Sequence, residues 1–292
     1  MRMITIVTIL LFAFGTLQAA DYQLIESKSG KSLTLAKMAS KLKKADVIFF
    51  GEFHGNAVIH QLQAELLPQL YQAKKRLIVS FEMFERDVQS DLEAYLAGSI
   101  TEDEFLERSR PWPNYATDYR PLLEFAKDKQ LKVIAANIPR WIAGKVARGS
   151  LSALDDLDTD DRMNVAIDID ASEGAYKDNF LATMRMNGMH DHFGDEQLYE
   201  RLYQAQCVKD DTMAESIAQY RERYPKYTII HFNGDFHSTR YLGTVERLRN
   251  RMPKLKIAVI SPAYAGAKAR VPLEQQANFI IELPQSEEEV EQ

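Results

Sequence analysis

The chain has 292 residues, of which 46% are hydrophobic and 10% are aromatic, which is enough for a large buried core and excludes global disorder. Its 36 Lys and Arg against 42 Asp and Glu give a formal net charge of -6. This balance does not favour a phosphate backbone as partner, so we do not expect nucleic acid as a ligand.

Residues 1–20 have the pattern of a secretory signal peptide. Arg2 is followed by an uncharged apolar stretch, Ile4–Phe14, and by small residues at Ala19 and Ala20. With these flanks, the stretch is too short for a transmembrane span. We therefore expect the mature protein to be exported, soluble and periplasmic.

Five apolar runs rich in β-branched residues predict strands. In chain order they are DVIFFGE, RLIVSFEM, LKVIAANIP, YTIIHFNGD and LKIAVISP. They lack clear polar–apolar alternation, as expected for strands that are covered on both faces. Helical patterns lie between them, such as the stripe of Ile59, Leu62, Leu66, Leu67 and Leu70. The alternation predicts an α/β fold, with a mostly parallel central sheet and helices on both faces.

Two segments interrupt this alternation, at about residues 90–120 and 150–224. Both have helical character, and connections of this length usually carry function or form a subdomain. We interpret them as helical insertions that form a cap over the edge of the sheet. Residues 21–284 should then form a single α/β domain, and residues 285–292 an acidic tail.

Polar side chains follow four of the predicted strands. The motifs GEFHG and GDFHS each place an acid and a histidine after a glycine at the end of a strand. Ligands of open α/β sheets bind outside the carboxyl ends of the strands, so these side chains should share one site. The candidate residues are Glu52, His54, Glu82, Asn137, Arg140, Asp235 and His237.

This set of side chains suits two kinds of chemistry. A divalent transition metal could bind imidazole and carboxylate groups that come from separate loops. The ligands would then be Glu52, His54, Glu82 and His237. Without a metal, a neutral histidine or a carboxyl group of raised pKa could act in general acid–base catalysis. The catalytic candidates are Glu52, His54, Glu82, Asp235 and His237.

A purely structural role is the alternative for the same residues. Histidines at strand ends often pack or cap, and the buried glutamates could form a salt bridge with Arg140. Asn137 and Arg140 could support the site or brace its loops. The residues alone leave these alternatives open.

The second insertion contains a segment rich in thioether, imidazole and phenol groups, MRMNGMHDHFGDEQLYERLYQAQ. Its members are Met184, Met186, Met189, His190, His192, Tyr199 and Tyr203. Such groups can ligate haem iron or border its apolar face. The segment could also be a helical cap with methionine packing, and the residues alone favour that second interpretation.

Five segments resemble, in order, the ChaN-like haem-binding family of bacterial iron-uptake proteins. They are FFGEFHGNAVIHQLQAELL, SFEMFERDVQSDLEAYL, WPNYATDYRPLLEFAKDKQLKVIAANIPR, YQAQCVKDDTMAESI and IIHFNGDFHSTRYLG. The paired G-x-x-H motifs also resemble the wider TIKI and erythromycin-esterase superfamily, which includes metal-dependent proteases and hydrolases. The resemblance implies an α/β domain with a helical insertion, haem binding, iron acquisition and, in some members, a homodimer that encloses haem at its interface.

The resemblance also implies roles for particular residues. The superfamily's active-site motif positions correspond to Glu52, His54, Glu82 and His237. The family suggests that a tyrosine ligates haem. Our choices for haem-binding residues are Tyr203 and Tyr199, then His190, with Met189 beside it.

One feature departs from the family pattern. ChaN-type proteins are typically lipoproteins, but no cysteine lies near the predicted cleavage site, and Cys207 is far too late in the chain to be lipidated. This difference weakens the analogy to a partner such as an outer-membrane haem or iron receptor.

These observations lead to two main hypotheses. The first is an exported haem-binding protein linked to haem or iron uptake, with the ligand held between the helical insertion and the strand ends. The second is a metal-dependent hydrolase that uses the paired G-x-x-H motifs. A third hypothesis, an interaction module with a degenerate site, predicts neither metal nor haem binding.

Overall fold

The computed structural model describes residues 22–186, 196–267 and 271–285. The predicted signal peptide, residues 1–20, lies outside the described residues, as does the predicted acidic tail beyond Gln285. Among the helices of the described ranges, none has the length and apolar character that crossing a membrane requires.

Eight strands form one sheet. They are β1 (Gln23–Glu26), β2 (Lys31–Ser32), β3 (Val47–Glu52), β4 (Leu77–Glu85), β5 (Lys132–Asn137), β6 (Thr228–Gly234), β7 (Ile257–Tyr264) and β8 (Phe279–Leu283). Their order across the sheet is β2-β1-β8-β7-β3-β6-β4-β5. The six strands from β8 to β5 are parallel, and β1 pairs antiparallel with both β8 and β2.

Helices connect the strands. They are α1 (Leu35–Leu42), α2 (Ala57–Ala73), α3 (Gln89–Leu96), α4 (Glu102–Ser109), α5 (Arg120–Asp128), α6 (Arg140–Gly149), α7 (Thr159–Arg162), α8 (Ala175–Met186), α9 (Glu196–Arg223), α10 (Thr244–Arg251) and α11 (Leu273–Gln276). A π-helical turn, Tyr115–Tyr119, precedes α5. The ends follow ordinary capping chemistry, since Asn56 accepts a hydrogen bond from the backbone N–H of Ile59 at the start of α2.

The core lies on both faces of the sheet. All residues of β3 are buried, and alternate side chains belong to different clusters: Ile48 and Phe50 pack with α2 and α5, whereas Val47 and Phe49 pack with α9 and α10. Both faces of such a strand are buried, so polar and apolar residues do not alternate along it. This explains the continuous apolar runs of the sequence. The predicted α/β fold with a mostly parallel sheet and helices on both faces is confirmed.

The predicted insertions contain regular helices. The segment 90–120 includes most of α3, all of α4 and the π-helical turn, and 150–224 includes α7, α8 and α9. The helix α9 packs along β5, α6 and α10, so it forms part of a layer on the sheet, while α8 covers the carboxyl edge.

The strand order fixes where a ligand site should lie. From β3 the chain continues to β4 and then to β5, both on one side of β3. It then returns to β6, which lies between β3 and β4, and continues to β7 on the other side of β3. The direction of winding therefore changes between β3 and β6. In open α/β sheets, the crevice at this switch point is where ligands bind. The two G-x-x-H motifs end the two strands that flank it.

Candidate functional site

A cavity of about 1140 Å³ lies at the carboxyl edge of the sheet. The residues following β3, β4, β5 and β6 form its floor, and α8, α9 and the end of β7 form its walls. All seven polar residues that the sequence predicts for one site line this cavity: Glu52, His54, Glu82, Asn137, Arg140, Asp235 and His237. The volume is above the range of roughly 300–1,000 Å³ typical of small-molecule sites.

Glu52 and His54 form the first polar pair of the cavity. The Nδ1 atom of His54 lies 2.9 Å from Oε1 of Glu52, and the imidazole is 48% exposed while the carboxylate is fully buried. Tyr119 and Gln63 each donate a hydrogen bond of 2.7 Å to this carboxylate. Glu52 is thus fixed by neighbours and orients the ring of His54.

The protonation states of this pair follow from its contacts. The hydrogen bond that His54 donates to the Glu52 carboxylate raises the pKa of His54, although partial burial opposes the rise. Burial raises the pKa of Tyr119 well above its ordinary value, so its phenol stays protonated and remains a donor to Glu52. His54 is therefore a partly exposed base whose orientation is set by a buried carboxylate.

His237 lies between two buried carboxylates. Its Nδ1 is 2.8 Å from Oδ1 of Asp210, and its Nε2 is 3.3 Å from Oε1 of Glu82. Burial would lower the pKa of His237, but the two carboxylates outweigh it and raise that pKa to about 10. Burial would likewise raise the pKa of Glu82, but His237 and the N–H of Gly234 lower it to about 2. The group is a buried imidazolium with paired counter-ions.

In contrast to Glu82, Asp235 has a raised pKa. Its Oδ1 accepts a hydrogen bond of 2.6 Å from the hydroxyl of Ser261. Burial raises the pKa of Asp235 to about 7, against the lowering effect of that hydrogen bond. Near neutral pH, this acid is close to half-protonated and could donate or accept a proton in the cavity.

The glycines of the two motifs allow the ends of β3 and β6 to lie close together. A Cβ atom at Gly51 would collide with the carboxylate of Asp235, and one at Gly234 would lie 2.7 Å from Nε2 of His54. Neither glycine has a positive φ, so chain reversal is not the reason for them. A side chain at either position would separate the two histidine-bearing loops.

Asn137 and Arg140 hold the rim of the cavity. The amide of Asn137 donates a 3.0 Å hydrogen bond to the carbonyl of Glu82, which fixes the end of β4. Arg140 lies 3.1 Å from Glu85, and its side chain is 61% exposed. Both residues lie at the rim of the cavity, and the supporting role that the sequence suggests for them stays a prediction.

Apolar and aromatic side chains form the remaining walls. They include Phe53, Trp112, Phe180, Met184, Phe236 and Tyr264. The rings of Phe53 and Tyr264 stack with their centroids 5.2 Å apart, and Trp112 contacts the ring of His54 edge-on at 5.1 Å. The cavity therefore combines a polar floor with apolar walls.

The structure does not bring the predicted haem-binding tyrosines into this cavity. Tyr203 is 2% exposed, packs among aromatic side chains including Phe180, and donates a 2.9 Å hydrogen bond to the carbonyl of Ser172. Tyr199 is half-buried on the first turns of α9 and is not among the cavity residues. Met189 and His190 lie outside the described residues.

Sequence reasoning missed three residues that organise the site, and two of them leave a signal. Gln63 and Asp210 are polar residues on the apolar stripes of α2 and α9. A polar side chain at such a position must find a buried partner, so the stripe itself could have indicated them. Tyr119 has no such signal, because it comes from the π-helical turn, which periodicity does not reveal.

The predicted metal site is not supported. Within residues 22–186, 196–267 and 271–285, no group of three or more His, Cys, Asp or Glu could hold a metal ion. The physical reason is that Glu52 and His54 form one pair, while the imidazolium of His237 binds Glu82 in another group. A protonated imidazole has no free lone pair for a metal. The described residues therefore give no support to a divalent metal at these four positions.

A family model described as "Haem-binding uptake, Tiki superfamily, ChaN" matches residues 38–248 of the sequence. The chain belongs to this ChaN family. The match spans the carboxyl edges of β3, β4, β5 and β6, and it includes every polar residue of the cavity floor. No functionally curated protein matches the sequence.

Three solved structures are similar to this chain to different degrees. The structure of ChaN of Campylobacter jejuni with cofacially bound haem is similar with a TM-score of 0.67 at 16% identity, over 89% of this chain and 96% of that one. A mutant of the erythromycin esterase EreC in its open conformation gives a TM-score of 0.47 at 14% identity, over 84% and 78% of the two chains. The type III effector HopBA1 gives 0.48 at 10% identity, over 86% and 94%.

Proposed function

We propose that this protein binds haem in the cavity at the carboxyl edge of the sheet. The observation that carries the proposal is a cavity of about 1140 Å³ with aromatic walls in a chain of the ChaN family. Haem supplies a planar apolar ring, two anionic propionates and an iron atom that takes axial ligands. Each of these three features has a counterpart in the cavity.

The apolar walls suit the ring. Phe53, Trp112, Phe180, Phe236 and Tyr264 all border the cavity. Apolar ligands with a few polar groups bind sites in which most of the wall is apolar and a few side chains fix orientation. The stacked pair of Phe53 and Tyr264 offers a flat face of this kind.

Cationic side chains suit the propionates. Arg140, Lys209 and Arg240 all line the cavity, on α6, α9 and the turn after β6 respectively. Arg240 is held by a 3.0 Å hydrogen bond to Oδ1 of Asn179 on α8. Guanidinium and ammonium groups pair with carboxylates, so these residues could fix the orientation of the ring.

Tyr264 is the tyrosine we propose as the iron ligand. It is the phenol that lines the cavity among the described residues, whereas Tyr203 is buried with its hydroxyl bound to a carbonyl. Phenol, imidazole and thioether groups all serve as haem ligands, so His54 and Met184 are the other cavity residues that could bind iron.

A hemin titration of the chain without residues 1–20 tests the proposal. We expect a saturable shift of the Soret band. Tyr264→Phe should weaken binding at least about tenfold, since even residues that only support a metal ligand contribute this much. The matched control is Tyr203→Phe, which should bind hemin as the unaltered chain does. Absence of a Soret shift in the unaltered chain would refute haem binding. Loss of binding in Tyr203→Phe alone would instead make Tyr203 the ligand.

Export, haem or iron uptake, a homodimer and an outer-membrane haem or iron receptor stay predictions. They rest on the residues of the predicted signal peptide and on the family, and the haem titration does not address them. Secretion of the full chain would test export. The molar mass of the hemin-loaded protein would test the homodimer.

We keep hydrolysis without a metal as the second candidate function. It is favoured by the geometry of His54, which is partly exposed in the cavity and hydrogen-bonded at 2.9 Å to the buried carboxylate of Glu52. A histidine oriented by a carboxylate can take a proton from water or an alcohol, as in other acid–base sites. Asp235, with a pKa of about 7, could supply the proton to a leaving group.

Replacement of Glu52 by glutamine tests this candidate. The hydrogen bond that the Glu52 carboxylate accepts from His54 is the largest cause of the raised pKa of His54, and burial acts the other way, so this pKa should fall in the variant. A titration of the imidazole proton signals by NMR measures the change. Any hydrolysis of ester substrates should follow the neutral imidazole and rise at lower pH in the variant than in the unaltered chain. Unchanged hydrolysis in His54→Ala would exclude His54 as the base.

A further inference from the structure

We propose that the edge of the sheet opposite the cavity binds the surface of an anionic lipid membrane. The chain enters six parallel strands at this amino edge, and basic segments precede five of them. The five entry segments are 42–46, 74–76, 128–132, 222–226 and 254–256, and they precede β3, β4, β5, β6 and β7. We call these five segments together the basic edge.

The basic edge carries an excess of positive charge. Its segments contain eleven Lys and Arg against three Asp and Glu. All eleven cationic residues except Lys74 are exposed. Two of the three acids already have partners, because Asp46 lies 3.3 Å from Arg221 outside the edge and Asp128 lies 2.7 Å from Lys129. Most of the positive charge is thus available to a partner.

The strand order arranges these charges in a row. The strands lie side by side as β7-β3-β6-β4-β5, so the five entry segments follow one another along the edge. Neighbouring strands are about 4.8 Å apart, which gives a row of roughly 19 Å. A pocket of about 450 Å³ borders the row at the entries of β7 and β3, where Lys44 and Lys256 line it, but the row extends past this pocket to β5. A row of this length suits an extended charged surface better than a single small anion.

Helix ends explain only part of this charge. Lys and Arg are favoured in the last turn of a helix, where they offset the negative end of its dipole, and the effect fades beyond that turn. Seven of the eleven cationic residues lie two or more positions past the last residue of α1, α2, α5, α9 or α10. The helix dipole therefore does not explain why these seven positions are cationic.

The opposite edge carries charges of both signs. The cavity edge contains the carboxylates of Glu52, Glu82, Glu85, Asp235 and Glu282 together with the cationic Arg140, Lys209 and Arg240. The whole chain has a net charge of -6, yet its basic edge is strongly positive. A molecule with its positive charge concentrated at one edge is oriented by an external field, and a negatively charged surface would attract the basic edge.

The composition of the basic edge favours lipid headgroups over a protein partner. Nine of the eleven cationic residues are lysines, and lysine is depleted in protein–protein interfaces, where arginine and aromatic residues are enriched. The exposed large hydrophobic residues of the described chain are Tyr22, Trp141, Met163 and Ile167, and none belongs to the basic edge. A surface with charge but no apolar anchor matches the reversible binding of polybasic segments to anionic lipids.

Binding in this orientation has a consequence for the cavity. The cavity lies at the other end of the parallel strands, so it would open away from the membrane. A ligand could then be exchanged with the surrounding solution while the protein stays at the membrane surface. This inference does not depend on the identity of the ligand.

Sedimentation with vesicles tests the proposal. The chain without residues 1–20 is mixed with vesicles of phosphatidylcholine and phosphatidylglycerol in equal amounts, or of phosphatidylcholine alone. We expect binding only to the anionic vesicles, and release at about 0.5 M NaCl, where exposed charges are screened. The triple variant Lys44→Glu, Lys226→Glu and Lys254→Glu should bind at least about 100-fold more weakly, because each basic residue near an anionic membrane contributes roughly fivefold.

The control is a triple reversal elsewhere on the surface, Arg108→Glu, Arg148→Glu and Arg185→Glu. It changes the net charge by the same amount and should bind vesicles as the unaltered chain does. Equal losses in both triple variants would mean that only net charge matters, and would overturn the proposal. So would the absence of vesicle binding at low salt. If the chain ignored vesicles but bound soluble poly-glutamate through the basic edge, the partner would be an acidic protein and the membrane assignment would fall.

Discussion

Replacement of Asp210 by alanine is expected to lower the free energy of unfolding by about 3 to 5 kcal/mol, the usual cost of leaving one member of a buried ion pair alone. Asp210 is fully buried on α9. Its carboxylate accepts hydrogen bonds from His237 at 2.8 Å, from Thr244 at 2.7 Å and from the hydroxyl of Tyr176. In the alanine variant, the imidazolium of His237 and the hydroxyl groups of Thr244 and Tyr176 would lose their partner in the core.

Urea denaturation of the variants measures this effect. Thr244→Val serves as the control, because it removes one hydrogen bond to Asp210 and leaves the ion pair, so about 1 kcal/mol should be lost. Asp210→Asn should fall between the two, since it keeps an acceptor for Thr244 but removes the charge. A loss in Asp210→Ala no larger than that in Thr244→Val would show that the ion pair does not stabilise the fold.

The pH dependence of the same experiment has a definite sign. The pKa of His237 rises from 6.5 to about 10 on folding, so the stabilisation by its carboxylates is complete below pH 6.5 and is lost as the pH rises through 10. The pKa of Glu82 falls from 4.5 to about 2, so its contribution is complete above pH 4.5 and is lost as the pH falls through 2. The group should stabilise the protein most between pH 4.5 and 6.5.

Asp235→Asn is expected to make the protein more stable in neutral and alkaline solution. The pKa of Asp235 rises from 3.8 to about 7 on folding, which corresponds to a cost of about 4 kcal/mol once the carboxyl group is ionised. Because the folded pKa is the higher one, stability is lost as the pH rises from 3.8 to 7. The asparagine variant keeps an acceptor for Ser261 and avoids this cost, so a gain of about 2 to 4 kcal/mol should appear above pH 7 and vanish below 3.8.

Denaturation curves of the variant and the unaltered chain across this pH range measure the difference. Ser261→Ala provides the matched control, since its hydroxyl donates to Asp235 and lowers that pKa. Without the donor, the unfavourable contribution of Asp235 should grow. A pH-independent gain in Asp235→Asn would mean that Asp235 is ionised in the folded protein. A gain in stability here would also indicate that this acid is retained for function, because a buried group of this kind costs stability.

The basic edge and the cavity give the two ends of the parallel strands different chemical character. The cavity end collects carboxylates, histidines and aromatic walls around one site. The other end presents lysines from five consecutive strand entries. Parallel strands produce this division, since all their carboxyl ends lie at one edge and all their amino ends at the other.

The sequence by itself determined the fold class and the place of the site. Apolar runs such as that of β3 specify strands covered on both faces, and the helical stripes between them specify parallel connections. A parallel sheet brings the carboxyl ends of its strands to one edge. For this reason the sequence predicts one shared site for the seven polar residues at four strand ends, from Glu52 to His237, and all seven line the cavity.

Only the tertiary structure decided which of these residues pair with one another. The sequence allowed a metal between Glu52, His54, Glu82 and His237, but Asp210 on α9 and Tyr119 on the π-helical turn satisfy two of them first. It also predicted haem-binding tyrosines in the segment that forms α9, but packing has buried Tyr203 there. Within the described chain, the tyrosine that lines the cavity is Tyr264, at the end of β7. Periodicity reports which face of an element is buried. It does not report which distant side chain arrives there, because those contacts depend on how separate elements pack.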